Sequence, residues 1–188
     1  MTLISVTDVP SPAVRWFYEL GYRLLTKQAA DPPRPAYVLS GMLFHKQGEN
    51  GDWIMLGVPN ALVRGVFAAM DEAGVELPPS GPGEQLEAHI SVMRPEELAR
   101  IGGPDRISER GKRFRYRLGG LVEVTPHGWP EMSKCWMLRV HSPDLQRLRR
   151  SYGLTSLPKD GQFDFHITVA VRRKSVLGRN ESHKGETS

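Results

Sequence analysis

The sequence predicts an α+β fold in which two related strand–helix–strand lobes place antiparallel sheets around a central cleft. Three observations carry this. Strand and helix periodicities alternate along the chain, the order strand–proline–helix–loop–strand occurs twice, and the two occurrences share letters. Trp53-Ile54-Met55-Leu56-Gly57-Val58 resembles Cys135-Trp136-Met137-Leu138-Arg139-Val140, and Glu87-Ala88-His89-Ile90-Ser91-Val92 resembles Asp164-Phe165-His166-Ile167-Thr168-Val169. Matched letters in a repeated order point to an internal duplication.

The first element is a helix over 12–27. Ser11-Pro12 supplies a capping hydroxyl and a proline at the first helical position, and Val14, Phe17, Tyr18, Gly21, Leu24 and Leu25 recur at helical spacing. Asp31-Pro32-Pro33-Arg34-Pro35 ends it as a stiff connector. Tyr37 to His45 and Trp53 to Val58 read as strands joined by the turn Gly48-Glu49-Asn50-Gly51. A helix follows over 60–73, ending near Gly74, then a proline- and glycine-rich loop from Leu77 to Gly83 and a strand from Leu86 to Met93. In the second half, Arg113 to Leu118 and Leu121 to Thr125 read as two strands around Gly119-Gly120, and Lys134 to Val140 as a third. Ser142-Pro143 caps a helix to about Tyr152, and the strand Phe163 to Arg172 closes the repeat. These boundaries divide the chain into an N-terminal helical extension (1–35), a bilobal domain (36–172, lobes at about 36–103 and 104–172) and a polar tail (173–188) expected to be disordered.

Composition narrows the function classes. The chain has 188 residues, 39% apolar and 24% charged, as in ordinary globular proteins. No apolar run approaches the roughly 20 residues that span a bilayer, and Met1 to Ser5 lacks the features of a signal peptide. Cytoplasmic residence without membrane association is expected. A single cysteine, Cys135, excludes an intramolecular disulfide and argues against a cysteine-based zinc site; in its strand it reads as a small core residue. The net charge of +4 suits an anionic ligand, but coating long DNA calls for a stronger basic stripe.

Residues i and i+2 of a strand share a face. His89 therefore sits beside Ser91 and His166 beside Thr168, with Ile90, Val92, Ile167 and Val169 directed to a helix-covered core. If the lobes are related by a pseudo-twofold axis, both pairs enter one cleft. Histidine titrates near 6.5, so one neutral imidazole can take a proton while its protonated partner delivers one. The hydroxyls can donate to phosphoryl oxygens as charge develops there. One such His–hydroxyl pair is a weak signal. Two at matching places in a duplication are a strong one.

These two H-x-[ST] strands in duplicated lobes resemble the two-histidine (2H) phosphoesterase superfamily, which includes LigT-type RNA 2′,3′-cyclic phosphodiesterases and phage anti-CBASS phosphodiesterases. The resemblance covers about 36–172. It implies a bilobal fold with a central cleft, metal-independent phosphoester chemistry without a cofactor, and His89, Ser91, His166 and Thr168 as motif residues. The expected substrate is a small RNA-like molecule: a 2′,3′-cyclic phosphate end or a cyclic oligonucleotide messenger, the latter in an immune-evasion setting.

Around such a cleft, Trp129 is the preferred base platform and Tyr116 a second aromatic candidate, while Trp53 and Trp136 read as core. Glu87 and Asp164, two residues before the histidines, share their face and could orient an imidazole or a ribose hydroxyl. Arg113, Arg115 and Arg117 line one strand face, either a phosphate-binding wall or, as expected, the solvated side. Arg172 falls on the His166 face but far along the strand. His45, His127, His141 and His183 read as structural or exposed, though His127 could reach the cleft beside Trp129. Two other classes compete. Ile4 to Val9 followed by Trp16 to Tyr22 resembles the opening of vicinal oxygen chelate metalloenzymes, but Ser5 and Thr7 stand where a histidine ligand is normal. A non-catalytic nucleotide-sequestering protein would use the same cleft without turnover.

Overall fold

A computed structural model describes residues 38–48, 50–79, 87–126 and 129–174. The helix expected over 12–27, the proline connector, and the tail beyond Lys174 lie outside the described residues. Six strands form one sheet in the order β3-β2-β1-β4-β5-β6: β1 (Val38–Gly48), β2 (Gly51–Gly57), β3 (His89–Met93), β4 (Arg113–Val124), β5 (Met132–His141) and β6 (His166–Arg173). All five neighbouring pairs are antiparallel. The order is a palindrome: β1-β2-β3 reads outward from the centre on one side as β4-β5-β6 does on the other. Helices α1 (Asn60–Ala68), α2 (Pro95–Ile101) and α3 (Pro143–Ser151) complete the domain.

Strand β1 serves both halves. Val38 to Met42 pair with β4, and Leu43 to Gly48 pair with β2. Just before the change of partner, which falls between Met42 and Leu43, a Cβ on Gly41 would lie 2.0 Å from the Gly57 carbonyl oxygen; only glycine lets the backbones approach this closely. The sheet then curls until its two outer strands, β3 and β6, come into contact. The helices cross over: α1 of the first half lies against β6 of the second, and α3 of the second against β3 of the first as well as β4. One core results, running from Leu43, Leu56 and Ile90 to Leu138, Ile167 and Val169, with Leu62 and Val66 of α1 and Leu145 of α3 inside it.

Three expectations are revised. The run from Arg113 to Val124 is a single strand, because Gly119-Gly120 is absorbed by a register shift between Leu118 and Leu121 instead of forming a turn. The strands carrying the histidines begin at the histidines themselves, and the helix expected over 60–73 ends at Ala68. The sequence reading also missed α2. Its signals are Pro95 at the first helical position and Glu97 at the third, whose carboxylate accepts the Arg94 backbone N–H at 3.0 Å, the acceptor half of a capping box.

Glu97 also joins the halves. Its buried carboxylate receives the guanidinium of Arg149 on α3 through two N–H groups, at 2.9 and 2.6 Å, and the Lys159 backbone N–H at 2.9 Å. Arg149 further donates to the carbonyls of Val92, Thr155 and Leu157. Both side chains are excluded from solvent, and the pair holds Glu97 well below the usual carboxylate range against the opposing effect of burial.

Candidate active site

The duplication is visible in hydrogen-bond register. On β2–β3, Gly57 pairs with His89, Leu56 with Ile90 and Met55 with Ser91, after which the register shifts. On β5–β6, Arg139 pairs with His166, Leu138 with Ile167 and Met137 with Thr168, and the register shifts at the same step. The extra residues are Val92 and Val169, one after each hydroxyl. Cross-strand partners share a face, so His89, Ser91 and Met55 stand together, as do His166, Thr168, Met137 and Arg139. Ile90 and Ile167 point to the core.

Each imidazole is held in the same way. Nδ1 of His89 lies 2.8 Å from the Glu87 carbonyl oxygen, and Nδ1 of His166 lies 2.8 Å from that of Asp164. A carbonyl only accepts, so each Nδ1 carries a proton and Nε2 is the nitrogen left for other chemistry. Glu87 and Asp164 do orient the imidazoles, through their backbone and not their carboxylates. Both histidines, Ser91 and Thr168 are half-buried, and neither hydroxyl has a hydrogen-bond partner among the described residues.

Burial lowers the His89 pKa below 6.5. Lys46 and His166 push the same way, outweighing the Glu87 carbonyl bond and carboxylate. Lys46, on the same face of β1, is paired with that carboxylate. The strands that carry the two rings, β3 and β6, are in contact although they are the outermost of the sheet. Among the described residues no cluster of His, Cys, Asp or Glu is arranged to hold a metal ion.

A family model for the "Swiss Army Knife, 2H phosphoesterase domain" matches residues 53–177. The chain belongs to the 2H phosphoesterases. No curated protein matches the chain, and no solved structure does. The matched segment contains both His–hydroxyl strands, all three helices and the Glu97–Arg149 pair.

The remaining expected residues of this 2H phosphoesterase fall in several places. Trp129 is half-buried against Met132, Cys135 and Val171, a small apolar cluster that includes Met137, the cross-strand partner of Thr168, and so lies on the site face. Tyr116 is a correction. It is 1% exposed within the main core, because β4 turns its even-numbered side chains inward, and it offers no platform. Trp136 is core as expected. Trp53 is not: it pairs with Lys46 across β1–β2, half-buried beneath the Arg94 guanidinium at 4.9 Å. Arg172 is also corrected. The extra residue Val169 inverts the strand's phase, so Arg172 stacks on core Trp136 at 5.3 Å and bonds Glu72 and the Ala73 carbonyl. His45 bonds Asp52 at 2.8 Å and His141 is exposed; His127 and His183 lie outside the described residues.

Two residues of the site were not singled out from sequence. Lys46 had no signal, since its proximity to His89 depends on strand register. Arg139 had one: it stands where the other repeat has Gly57, and is the only charge in the matched pair Trp53–Val58 and Cys135–Val140.

Proposed function

We propose that this 2H phosphoesterase is a metal-independent phosphodiesterase acting on RNA-like linkages, with His89 and His166 as its acid–base pair. The observation that carries the reading is the twofold repetition of one unit: an imidazole tied through Nδ1 to a backbone carbonyl, Nε2 free, and an uncommitted hydroxyl two residues on. His89 enters as the base, because burial and the cations beside it favour its neutral form. Its Nε2 takes a proton from a water attacking a 2′,3′-cyclic phosphate, or from a ribose 2′-hydroxyl attacking the adjacent phosphorus. The P–O bond to the leaving oxygen breaks, and Nε2 of protonated His166 delivers the proton to that oxygen. Ser91 and Thr168 donate to the non-bridging oxygens, which gather charge during the step.

The substrate in this reading is a 2′,3′-cyclic phosphate end or a cyclic oligonucleotide messenger. Purified protein in EDTA, incubated with both classes and followed by chromatography, tests it. Turnover should persist in EDTA and fall about 10²–10⁴-fold in His89→Ala and in His166→Ala, both variants keeping the wild-type circular dichroism spectrum. Full activity in either variant removes that histidine from the mechanism. The sequestering alternative predicts intact nucleotide recovered from a tight complex.

A further inference from the structure

The two halves repeat the His–hydroxyl unit but not its surroundings. Beside His166 stands Arg139, exposed, where His89 has Gly57. Two residues further along β5 is His141, which pairs with Arg117 of β4, and Arg115 and Arg113 follow on the same face of β4. Phe114, Tyr116 and Leu118, between these arginines, pack against the core, so the arginines point to the side that carries the histidines. Opposite them on β1 stand Val38, Ser40 and Met42, two of which are exposed apolar side chains, Val38 by 52% and Met42 by 49%.

Because β4 and β5 are antiparallel, this row advances in one direction: two residues along β5 and four along β4, about 20 Å at 3.4 Å per residue. Same-face side chains recur about every 7 Å along it, a spacing on the scale of successive phosphates in an extended nucleotide chain. Arg115 is 73% exposed and engages Asp144 at 3.3 Å. Arg113, Arg117 and Arg139 have no ion-pair partner among the described residues, as is also true of Arg64, Arg106 and Arg150 elsewhere, so these three cations of the row are free to meet an anion.

We infer that the substrate is a linear single-stranded oligonucleotide, whose reacting phosphate lies between the histidines and whose flanking phosphates run over Arg139, Arg117 and Arg113. The exposed Val38 and Met42 give its bases an apolar surface alongside. A compact cyclic dinucleotide cannot reach the far end of the row. The inference rests on the phosphodiesterase reading for the position of the reacting phosphate, and the row itself can be tested without turnover.

Two measurements separate the two readings. First, fluorescence anisotropy of His89→Ala protein with single-stranded RNA from dinucleotide to octanucleotide should show affinity rising with length. The double variant Arg113→Ala/Arg117→Ala should bind the octanucleotide ~10-fold more weakly, with the log–log salt slope reduced by about 0.7 per arginine removed. Arg150→Ala, an exposed change on α3, is the control and should bind as His89→Ala alone does. Second, kcat/KM of otherwise wild-type protein on cyclic-phosphate-ended RNA of the same lengths should rise with length through KM, and the double variant should lose more on the octanucleotide than on the dinucleotide. Length-dependent, arginine-dependent binding without turnover upholds the row and removes the phosphodiesterase reading. Turnover independent of length, or a cyclic dinucleotide bound as tightly as the octanucleotide, overturns the row and leaves that reading standing.

Discussion

Arg149→Met removes a guanidinium whose five N–H donors are all engaged and leaves the Glu97 carboxylate with only the Arg94 and Lys159 backbone N–H groups. Removing one partner of a buried pair costs about 3–5 kcal/mol, against a total of about 5–15 kcal/mol for a domain. The double variant Glu97→Leu/Arg149→Met is the sharper test. Replacing a buried pair by apolar groups is often neutral or stabilising, but here the Val92 and Thr155 carbonyls lose the Arg149 donors and two N–H groups lose the Glu97 carboxylate together, while the Leu157 carbonyl keeps the Thr155 hydroxyl and the Gly161 N–H. At roughly 1–3 kcal/mol for each group left unsatisfied, the double variant should remain at least ~3 kcal/mol less stable than wild type. Urea unfolding followed by tryptophan fluorescence measures both. Recovery of wild-type stability in the double variant, or a loss under ~1 kcal/mol in the single one, would refute the view that this pair is the polar joint between the halves. The folded state holds Glu97 below its unfolded value, so its contribution is present above the usual carboxylate range and disappears as pH falls through the folded value. Glu97→Gln should correspondingly flatten the acid limb of stability against pH.

The His89 pKa lies below 6.5 because of burial and its neighbouring cations, so the acid limb of kcat/KM should fall below pH 6.5. Lys46→Met removes one of those cations and frees the Glu87 carboxylate, so it should move that limb to higher pH; an unmoved limb would detach Lys46 from the site. The Tyr116 hydroxyl is buried without a partner among the described residues and its pKa is pushed up to about 12 by burial alone. Tyr116→Phe should therefore raise stability by about 1 kcal/mol in urea, and a loss of that size would mean the hydroxyl is satisfied. Burial likewise raises the Cys135 thiol to about 11, so native protein should resist a thiol reagent that labels it rapidly in urea. Gly41→Ala should abolish folding or lower the thermal midpoint sharply, as the added carbon meets the Gly57 carbonyl; an unchanged midpoint would show that β1 can move aside.

The His–hydroxyl strands were legible because a two-residue period and matched letters survive in both repeats, and the core positions of Ile90 and Ile167 followed from the same alternation. The extra residues Val92 and Val169 were not legible. A bulge is an event of hydrogen-bond register and leaves an ordinary valine in the text, so the phase of Arg172 came out inverted. Tyr116 illustrates a different limit. Its alternation with three arginines said that it opposed them, but not which face the helices would cover. Lys46 and Arg139 became meaningful only when pairing put them beside specific histidines. Helix α2, by contrast, is written in the sequence, in Pro95 and Glu97.

The exchange of helices between halves bears on how such a chain could arise or be divided. A polypeptide with only one repeat would lack surface that its helix packs against, β6 for α1 and the β3 part of the seat of α3. It would have to find that surface on a second copy, and its histidines would then meet only at the seam between two molecules. Splitting the present protein near Gly111 should accordingly yield fragments that are unstructured apart and recover their fold when mixed.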